Sequence, residues 1–499
     1  MPTTPEPLSR SAGATLAEQL AIRFGDRIAQ GLLRPGARLP SVRDCATRYQ
    51  VSPATVVAAY DRLQAQGLVQ AQAQRGFFVR ASVQGSARTA RRTGDAGASP
   101  TAGRGPTAPV DATALIRGMF HAGVHGSAPG MGTLPVDWLD AALLQRALRR
   151  VTGGRGDDGS AWLRYGEPAG DPGLRAALSR RLVDIGVDAA PEQIVTTVGA
   201  THALDLVART LLQPGDAVLV DEPGWAVEYE RLTRLGMRLL PVPRATDGSP
   251  DGPDLAVMAA LLQAHRPRVY VTVSVLHNPT GHTLSPAVAH RVLSLAEQHD
   301  LTVVEDDTYA FFAPPHATRM AALDGLRRTL LVSGFSKILA PQWRVGFVAA
   351  SPALAERLID TKLVGTLTTP ALLEQAVAWC LDQGLLRRHA ERIVQRLDAA
   401  RERAVRHALA AGCRFVAPPQ GLFGWVDVGT DTERLALAML DQGWLLAPGT
   451  LFQASRRPST CMRINFAATQ DGRFWQALKA LKAESAPAAA PGPLVAADS

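Results

Sequence analysis

The sequence predicts an α/β protein in two parts, a small helical unit with a β-hairpin followed by a large body built on a mostly parallel sheet. Three observations predict it. From about Asp111 onward, apolar strand-like runs alternate with helical segments, and several runs end in a polar cluster. The first eighty residues instead hold short amphipathic helices punctuated by Pro-Gly and Ser-Pro. Between them, residues 81–110 are rich in Gly, Ala, Ser, Thr and Pro without apolar periodicity, the composition of a flexible linker. Such a coil spans roughly 30 Å on average.

Composition narrows the functions. The chain has 499 residues, 46% hydrophobic and 20% charged, as expected of a globular protein with an ample core. It has no run of 18 apolar residues, and MPTTPEPLSR lacks the apolar core of a signal peptide, so a cytoplasmic location away from membranes is expected. Cys45, Cys380, Cys413 and Cys461 are scattered without metal spacing, so no metal is expected and a reducing compartment fits. Residues 1–110 hold fourteen Arg against six acidic residues, the whole of the formal net charge of +8. A basic end on a neutral body points to a polyanionic partner.

In chain order, Leu16 to Leu33 reads as an amphipathic helix with Leu20, Phe24 and Ile28 on one face. RPGARLPSVRD then gives a turn and a near capping box from Ser41 to Asp44. The helix Val42 to Tyr49 follows. Ser52 is a natural N-cap with Pro53 at the first helical position, and Gly67 closes this third helix. Two helices joined by a tight turn have helix-turn-helix geometry. Leu68-Val69 and Phe77-Phe78-Val79, on either side of Gln74-Arg75-Gly76, read as a β-hairpin wing.

Residues 35–69 closely resemble the GntR-type winged helix, PG-x-x-L-P-S-x-R followed by V-S-x-x-T-V-x-x-A-Y-x-x-L-x-x-x-G-L-V. The resemblance implies binding to double-stranded operator DNA, with Arg38, Ser41 and Arg43 at phosphates and Ser52 and Thr55 opening the recognition helix. Arg75 and Gly76 would reach the minor groove. Arginines and helix N-termini suit phosphate, and the first turn of the second helix suits base edges. One departure is that Pro53, Ala54, Val57 and Ala58 stand where many relatives carry Arg or Lys. Readout would then lean on thymine methyls, the wing or DNA shape.

In the body, Ile194 to Val198 is a strand before Gly199-Ala200-Thr201 opens a helix, a seat for phosphate. Strands at 217–220, 269–273, 301–304 and 329–332 follow. The last three lead to HNPTG (His277 to Gly281), EDDTY (Glu305 to Tyr309) and SGFSK, ending at Lys337, where open α/β sheets bind ligands. Lysine is scarce: Lys337, Lys362, Lys479 and Lys482 are four among 53 basic residues. Arginine keeps its proton in proteins, whereas a desolvated lysine becomes a neutral nucleophile. Ser336 and Arg344 beside it supply donors for a phosphate.

Residues from about 125 to 475 resemble a fold-type I pyridoxal-phosphate (PLP) aminotransferase of the aspartate and 2-aminoadipate kind. The resemblance implies that Lys337 carries the cofactor as an aldimine, that Asp306 pairs the pyridine nitrogen, and that Asn278 and Tyr309 hold the ring hydroxyl. Trp225 of DEPGW would stack on the ring. Ala200, Thr201, Ser336 and Arg344 would hold the phosphate, and Tyr165 would reach the phosphate of a partner subunit. Arg463 would grip a substrate or effector carboxylate, with Asn278 beside it. Two departures are Gly334, where relatives usually have a hydroxyl, and Gln420-Gly421 in place of Gly-Gly before Phe423.

Together the parts resemble the MocR-type transcription regulators, which implies a homodimer that senses an amino compound, or PLP itself, through Lys337. The alternative is a working aminotransferase with an accessory DNA-binding module. The expected boundaries are 12–80 for the winged helix, 81–110 for the linker, 111–483 for the body and 484–499 for a disordered tail.

Overall fold

A computed structural model describes residues 15–29, 33, 35–72, 75–80, 128–153, 163–244, 252–314 and 316–485. The linker at 81–110 and the tail beyond 485 lie outside the described residues; the last helix, Gly472–Ser485, runs two residues past the expected body boundary. The chain divides into two compact units. One contains residues 1–128 together with 433–445, and the other contains 129–432 and 446–499. The composition of 433–445 gave no sign that it would group with the N-terminal part.

The first unit is built from α1 (Leu16–Ala29), α2 (Val42–Tyr49), α3 (Pro53–Ala65), β1 (Val69–Gln72) and β2 (Gly76–Val79). Helix α1 stops short of the expected Leu33, which lies in a bend. Ser41 Oγ accepts from Asp44 N at 3.1 Å and caps α2, and Ser52 Oγ accepts from Thr55 N at 3.1 Å and caps α3. Each cap satisfies a backbone donor that the helix cannot. Gln50, in the left-handed conformation, ends α2 and turns the chain into α3. The apolar faces of the three helices meet at Leu20, Phe24, Tyr49, Val56, Tyr60 and Leu63, with Val69 and Val79 closing the core from the hairpin. Phe24 meets Tyr60 edge-on at 5.7 Å, and the Tyr60 hydroxyl donates to Pro40 O at 2.9 Å. Residues 36–39 add a further extended segment beside β2, with Leu39 N donating to Phe77 O at 2.9 Å and Val79 N donating to Ala37 O at 2.9 Å. This ties the wing to the segment ahead of α2.

The second unit carries a seven-stranded sheet. Its strands are β3 (Ile194–Thr197), β4 (Ala217–Glu222), β5 (Arg238–Pro243), β6 (Val269–Thr272), β7 (Thr302–Asp306), β8 (Thr329–Gly334) and β9 (Gly346–Ala349). They run in the order β3-β9-β8-β7-β6-β4-β5, with β9 antiparallel to both neighbours and the other pairs parallel. Alternate residues feed opposite faces, as a strand requires. Val218, Val220, Val304 and Val332 pack with the helices Gly199–Leu211 and Pro352–Gly365. Leu219, Tyr270 and Val303 pack with Leu255–His265 and Pro286–Gln298. Helices on both faces bury the sheet and leave its strand ends as the open surface. A four-stranded antiparallel sheet follows: β10 (Arg414–Phe415), β11 (Phe423–Asp427), β12 (Ala447–Pro448) and β13 (Cys461–Asn465), in the order β10-β11-β13-β12. No described helix is long and apolar enough to cross a membrane.

Leu63 is fully buried where α3 meets α1. Leu63→Ala should cost about 2–5 kcal/mol of the first unit's stability. Hydrogen exchange in denaturant should show amides of α3 exchanging sooner while those of β7 keep their protection.

Candidate functional site

The site is assembled where strands of the large sheet end. β7 delivers three consecutive carboxylates, and their surroundings give each a different use. Glu305 is fully buried and accepts from Met320 N and Ala321 N, both at 2.8 Å, with Ser274 Oγ also on it. Burial pushes its pKa up to about 7 despite those donors. Asp307 accepts from Arg319 Nε at 2.7 Å in a buried ion pair. Among the described residues the Asp306 carboxylate is hydrogen-bonded only to its neighbour Thr308, whose backbone N donates to Oδ1 at 3.0 Å. Burial raises its pKa, opposed by Thr308 and by the charges of Lys337 and Arg231. Asp306 is therefore the carboxylate left to face a ligand.

Lys337 follows β8 on a segment pinned by buried Phe335, Ile338 and Leu339. His389 Nε2 lies 2.9 Å from Ile338 O and fixes the same turn. With its neighbours held inward, Lys337 projects into the cleft. Burial lowers its pKa to about 8, Arg463 and Arg344 push the same way, and Asp306 opposes them. A lysine in that range is partly neutral near physiological pH.

The turn 198–201 and Arg344 form a cup. Arg344 Nη1 donates to Ser336 Oγ at 2.9 Å, and Nη2 donates to Val198 O at 3.1 Å. Gly199 has φ +76°, and a Cβ there would lie 2.5 Å from Arg344 Nη2. Only glycine allows both that backbone and the guanidinium. Ala200 and Thr201 stand on the first turn of the helix Gly199–Leu211, where N–H groups have no partner within the helix and the positive end of its dipole lies. Gly334 lies beneath, where a Cβ would meet Val345 O at 3.1 Å and Ala200 N at 3.4 Å. A side chain there would need these neighbours to give by a few tenths of an ångström.

Arg463, on β13, is 1% exposed. Its Nη1 donates to Asn278 Oδ1 at 2.8 Å and its Nη2 to Gly130 O at 2.6 Å, while Nε is buried without a partner. Phe423, Phe452 and Trp225 surround it, the ring of Phe423 4.4 Å from Cζ. Burial lowers its pKa to about 10, so it remains a cation. Gly132 marks the distance to the lysine: a Cβ there would be 3.7 Å from both Lys337 Nζ and Arg463 Nη2. One small group can thus sit between the amine and the guanidinium.

Trp225, Asn278 and Asp306 line one small cavity of about 30 Å³ with Asp221, Glu228 and His277. Tyr309 is buried edge-on to Phe423 at 5.2 Å. Behind them Asp221 accepts from Arg244 Nη1 at 2.8 Å, Tyr270 Oη at 2.5 Å and Thr272 Oγ1 at 2.7 Å. Burial opposes its ionisation, but Arg244 and the donors hold its carboxyl well below the usual range. This network fixes the ends of β4 and β6 on which Trp225 and Asn278 depend. The structure therefore gathers Lys337, Asp306, Asn278, Tyr309, Trp225, Ala200, Thr201, Ser336, Arg344 and Arg463 at one end of the sheet. Tyr165 is 82% exposed and contributes nothing to this assembly within the chain.

In the first unit, Arg38 Nε lies 3.3 Å from where a Cβ of Gly76 would be, and Arg75 stacks over Phe78 at 5.9 Å. Arg38, Arg43 and Arg75 are exposed, with no ion pair among the described residues. Ser41 and Ser52 differ: their hydroxyls are engaged as caps, Ser41 Oγ bonded to Asp44 Oδ2 at 2.7 Å and Ser52 Oγ to Thr55 Oγ1 at 2.9 Å.

Sequence reasoning missed Asp221, Glu228, His202 and Gly132. His202 Nδ1 accepts from Val198 N at 3.0 Å, and its Nε2 lies 3.1 Å from Thr366 Oγ1, which sets the cup's backbone. Its position three residues after Gly199 was the available signal.

Residues 132–481 match the model of class I and II aminotransferases, and residues 16–79 match that of bacterial regulatory proteins of the gntR family. The chain is 29% identical to the uncharacterised HTH-type transcriptional regulator YdcR of Escherichia coli, covering 93% of this chain and 97% of that protein. It is 32% identical to the probable rhizopine catabolism regulatory protein MocR of Rhizobium meliloti, over 79% of this chain and 77% of that one. Among solved structures it is similar to the α-aminoadipate aminotransferase LysN of Thermus thermophilus in complex with N-(5'-phosphopyridoxyl)-L-leucine. The TM-score is 0.67 at 25% identity, over 74% of this chain and 95% of that one. Pyridoxal phosphate fits the residues present: a cup that a Cβ would fill, a carboxylate without a cationic partner of its own, a partly neutral lysine and a guanidinium with an unpaired buried Nε.

The lowered pKa of Lys337 has a kinetic signature. In cofactor-free protein the rate of pyridoxal phosphate attachment should rise with pH and level off above about 8 as the amine loses its proton. Stopped-flow absorbance between pH 6.5 and 9.5 checks this; a rate independent of pH would contradict it.

Proposed function

Because the chain belongs to the class I and II aminotransferase family in its MocR-type form, with a gntR-family domain ahead of the body, we propose that it is a transcriptional regulator whose DNA affinity is set by what occupies the body. A GntR-type DNA-binding domain is fused to a PLP-type aminotransferase-like domain in one chain. The observation that supports the reading is that Arg43 on α2 and Arg75 on the wing have no ion pair among the described residues, while Asp306, Asn278, Arg344 and Arg463 stand with Lys337 at one sheet end.

In this reading the cup of Arg344, Ser336 and the 199–201 turn anchors the phosphate of the cofactor, and Lys337 holds it covalently. Trp225 covers the ring face, Asn278 and Tyr309 orient the ring hydroxyl, and Asp306 keeps a proton on the ring nitrogen. Bound pyridoxal phosphate supplies an electrophilic carbon that exchanges amines and can draw electron density from them. Arg463 offers its remaining N–H donors to a carboxylate within reach of Lys337, which selects amino compounds bearing one. Water is limited by Phe423, Phe452 and Trp225 around that guanidinium. The ligand shifts DNA affinity only by binding two conformations of the protein unequally. A homodimer, with Tyr165 completing the neighbouring cup and two winged helices on two half-sites, is part of the proposal, as is a cytoplasmic location.

A second reading is a working aminotransferase. The retention of Lys337, Asp306, Asn278 and Arg463 together is compatible with it, since the same four residues serve amine exchange and turnover alike. Sustained product formation with an oxo-acid acceptor, at about one turnover per second or faster, would favour the enzyme. Operator affinity unchanged by cofactor and by a panel of amino compounds would refute the sensor.

The DNA side has its own test. Arg43→Ala should weaken binding to every duplex alike and make the salt dependence shallower by about one unit of log slope. Replacing Thr55 should cost roughly 1–3 kcal/mol on the operator and little on random duplex. Salt titrations of both variants on two duplexes separate positioning from base readout.

A further inference from the structure

The cavity at the Asp306 end of the site is lined by two further acids, Asp221, which is held by Arg244, and Glu228. Glu228, on the helix Ala226–Arg234 three residues after Trp225, is 6% exposed and lines the same cavity as Trp225, Asn278 and Asp306. Both its carboxylate oxygens are buried without a well-formed hydrogen bond. Among the described residues its one ionic contact is Arg231, one turn along the same helix, with both side chains largely enclosed. Arg231 does not line the cavity, so the acidic end of the pair is the end turned toward the ring seat. On its other side Glu228 borders an apolar pocket formed by Leu204, Val207, Leu232, Val271 and Val304, where no donor relieves it.

We propose that Glu228 is a positioning residue that acts through Asp306: paired to Arg231, it places a further carboxylate beside Asp306 at the ring-nitrogen seat and sets the charge under which a bound pyridine operates. The inference rests on the cofactor reading above and goes further, because that reading uses Asp306 alone. The charged and titratable groups around Glu228 are Arg231 and Tyr229 on its own helix, Asp205 on Gly199–Leu211, Asp221 on β4, Asp306 on β7 and His277 after β6. Burial raises the pKa of Glu228, Arg231 opposes this, and Asp306 and Asp205 reinforce it. Asp306 in turn faces Lys337 and Arg231. His277 stays neutral, its pKa lowered to about 4 by burial and Arg244, so Arg231 is the cation that balances Glu228.

The sign follows from charge. Removing the Glu228 carboxylate leaves Arg231 uncompensated beside Asp306, makes the seat more positive and disfavours protons on the bound cofactor and its lysine. A unit charge several ångströms away, at an effective dielectric of about 20, is enough to shift a proton affinity about tenfold, or about one pH unit. The experiment is a pH titration of the visible absorbance band of the full chain loaded with pyridoxal phosphate. The midpoint should fall by about one pH unit in Glu228→Gln and in Glu228→Met, which needs no hydrogen bond to fold, and stay near wild type in Glu228→Asp. Wild-type midpoints in both neutral variants, even with weaker cofactor retention, would overturn the proposal and leave Glu228 a packing residue. A wild-type protein that develops no band would overturn the cofactor reading itself, and this inference with it.

Discussion

The structure depends on how one amine is kept out of water among charges that do not cancel. Lys337 faces two guanidiniums, those of Arg463 and Arg344, and one available carboxylate, that of Asp306. Desolvation and like charge lower its proton affinity, and a single acid cannot restore it. An aldehyde and a dianionic phosphate would relieve this imbalance, one by consuming the amine and the other by compensating Arg344. The site is thus built for a ligand that carries both groups. The surrounding structure holds it ready: Arg319 takes Asp307, backbone amides and Ser274 take Glu305, and Arg244 takes Asp221. Each of those pairings leaves Asp306 unpaired by a neighbouring cation of its own.

Much of this was legible in the sequence, for definite reasons. The alternation of strands and helices could be read because each strand is short, apolar and closed by Gly, Pro or Asp. Helices α2 and α3 could be read because Ser41 and Ser52 declare their starts. Lys337 stood out because lysine is rare in a chain that otherwise uses arginine. Motif order then brought Asn278, Asp306 and Arg463 to the same sheet end without any distance being known.

What could not be read was the division of labour among residues of one type. EDDTY contains three acids in a row, and only their partners, 12 to 31 residues away in sequence, show which one is free. Ser41 and Ser52 look alike as phosphate donors and as caps; the structure shows them capping. Glu228 and Asp221 sit in stretches that read as ordinary helix and strand, and their burial depends on elements separated by up to about eighty residues. Gly334 reads as a missing phosphate hydroxyl, and the approach of Val345 O and Ala200 N to that position is a tertiary detail that the sequence does not carry. Compact grouping of 433–445 with the first unit is likewise a tertiary outcome with no local signature.

In the proposed sensor an amino compound in the body is coupled to DNA at the winged helix, and such coupling is reciprocal: if the ligand changes operator affinity by some factor, the operator must change ligand affinity by the same factor. The most direct measurement is therefore made from the ligand side. The affinity of the cofactor-loaded protein for an amino compound, read from the visible absorbance of the cofactor, is compared with and without saturating operator duplex. A sensor should show a shift of about 5–150-fold that is absent with a random duplex bound through backbone contacts alone. The same ligand affinity with and without operator would contradict it.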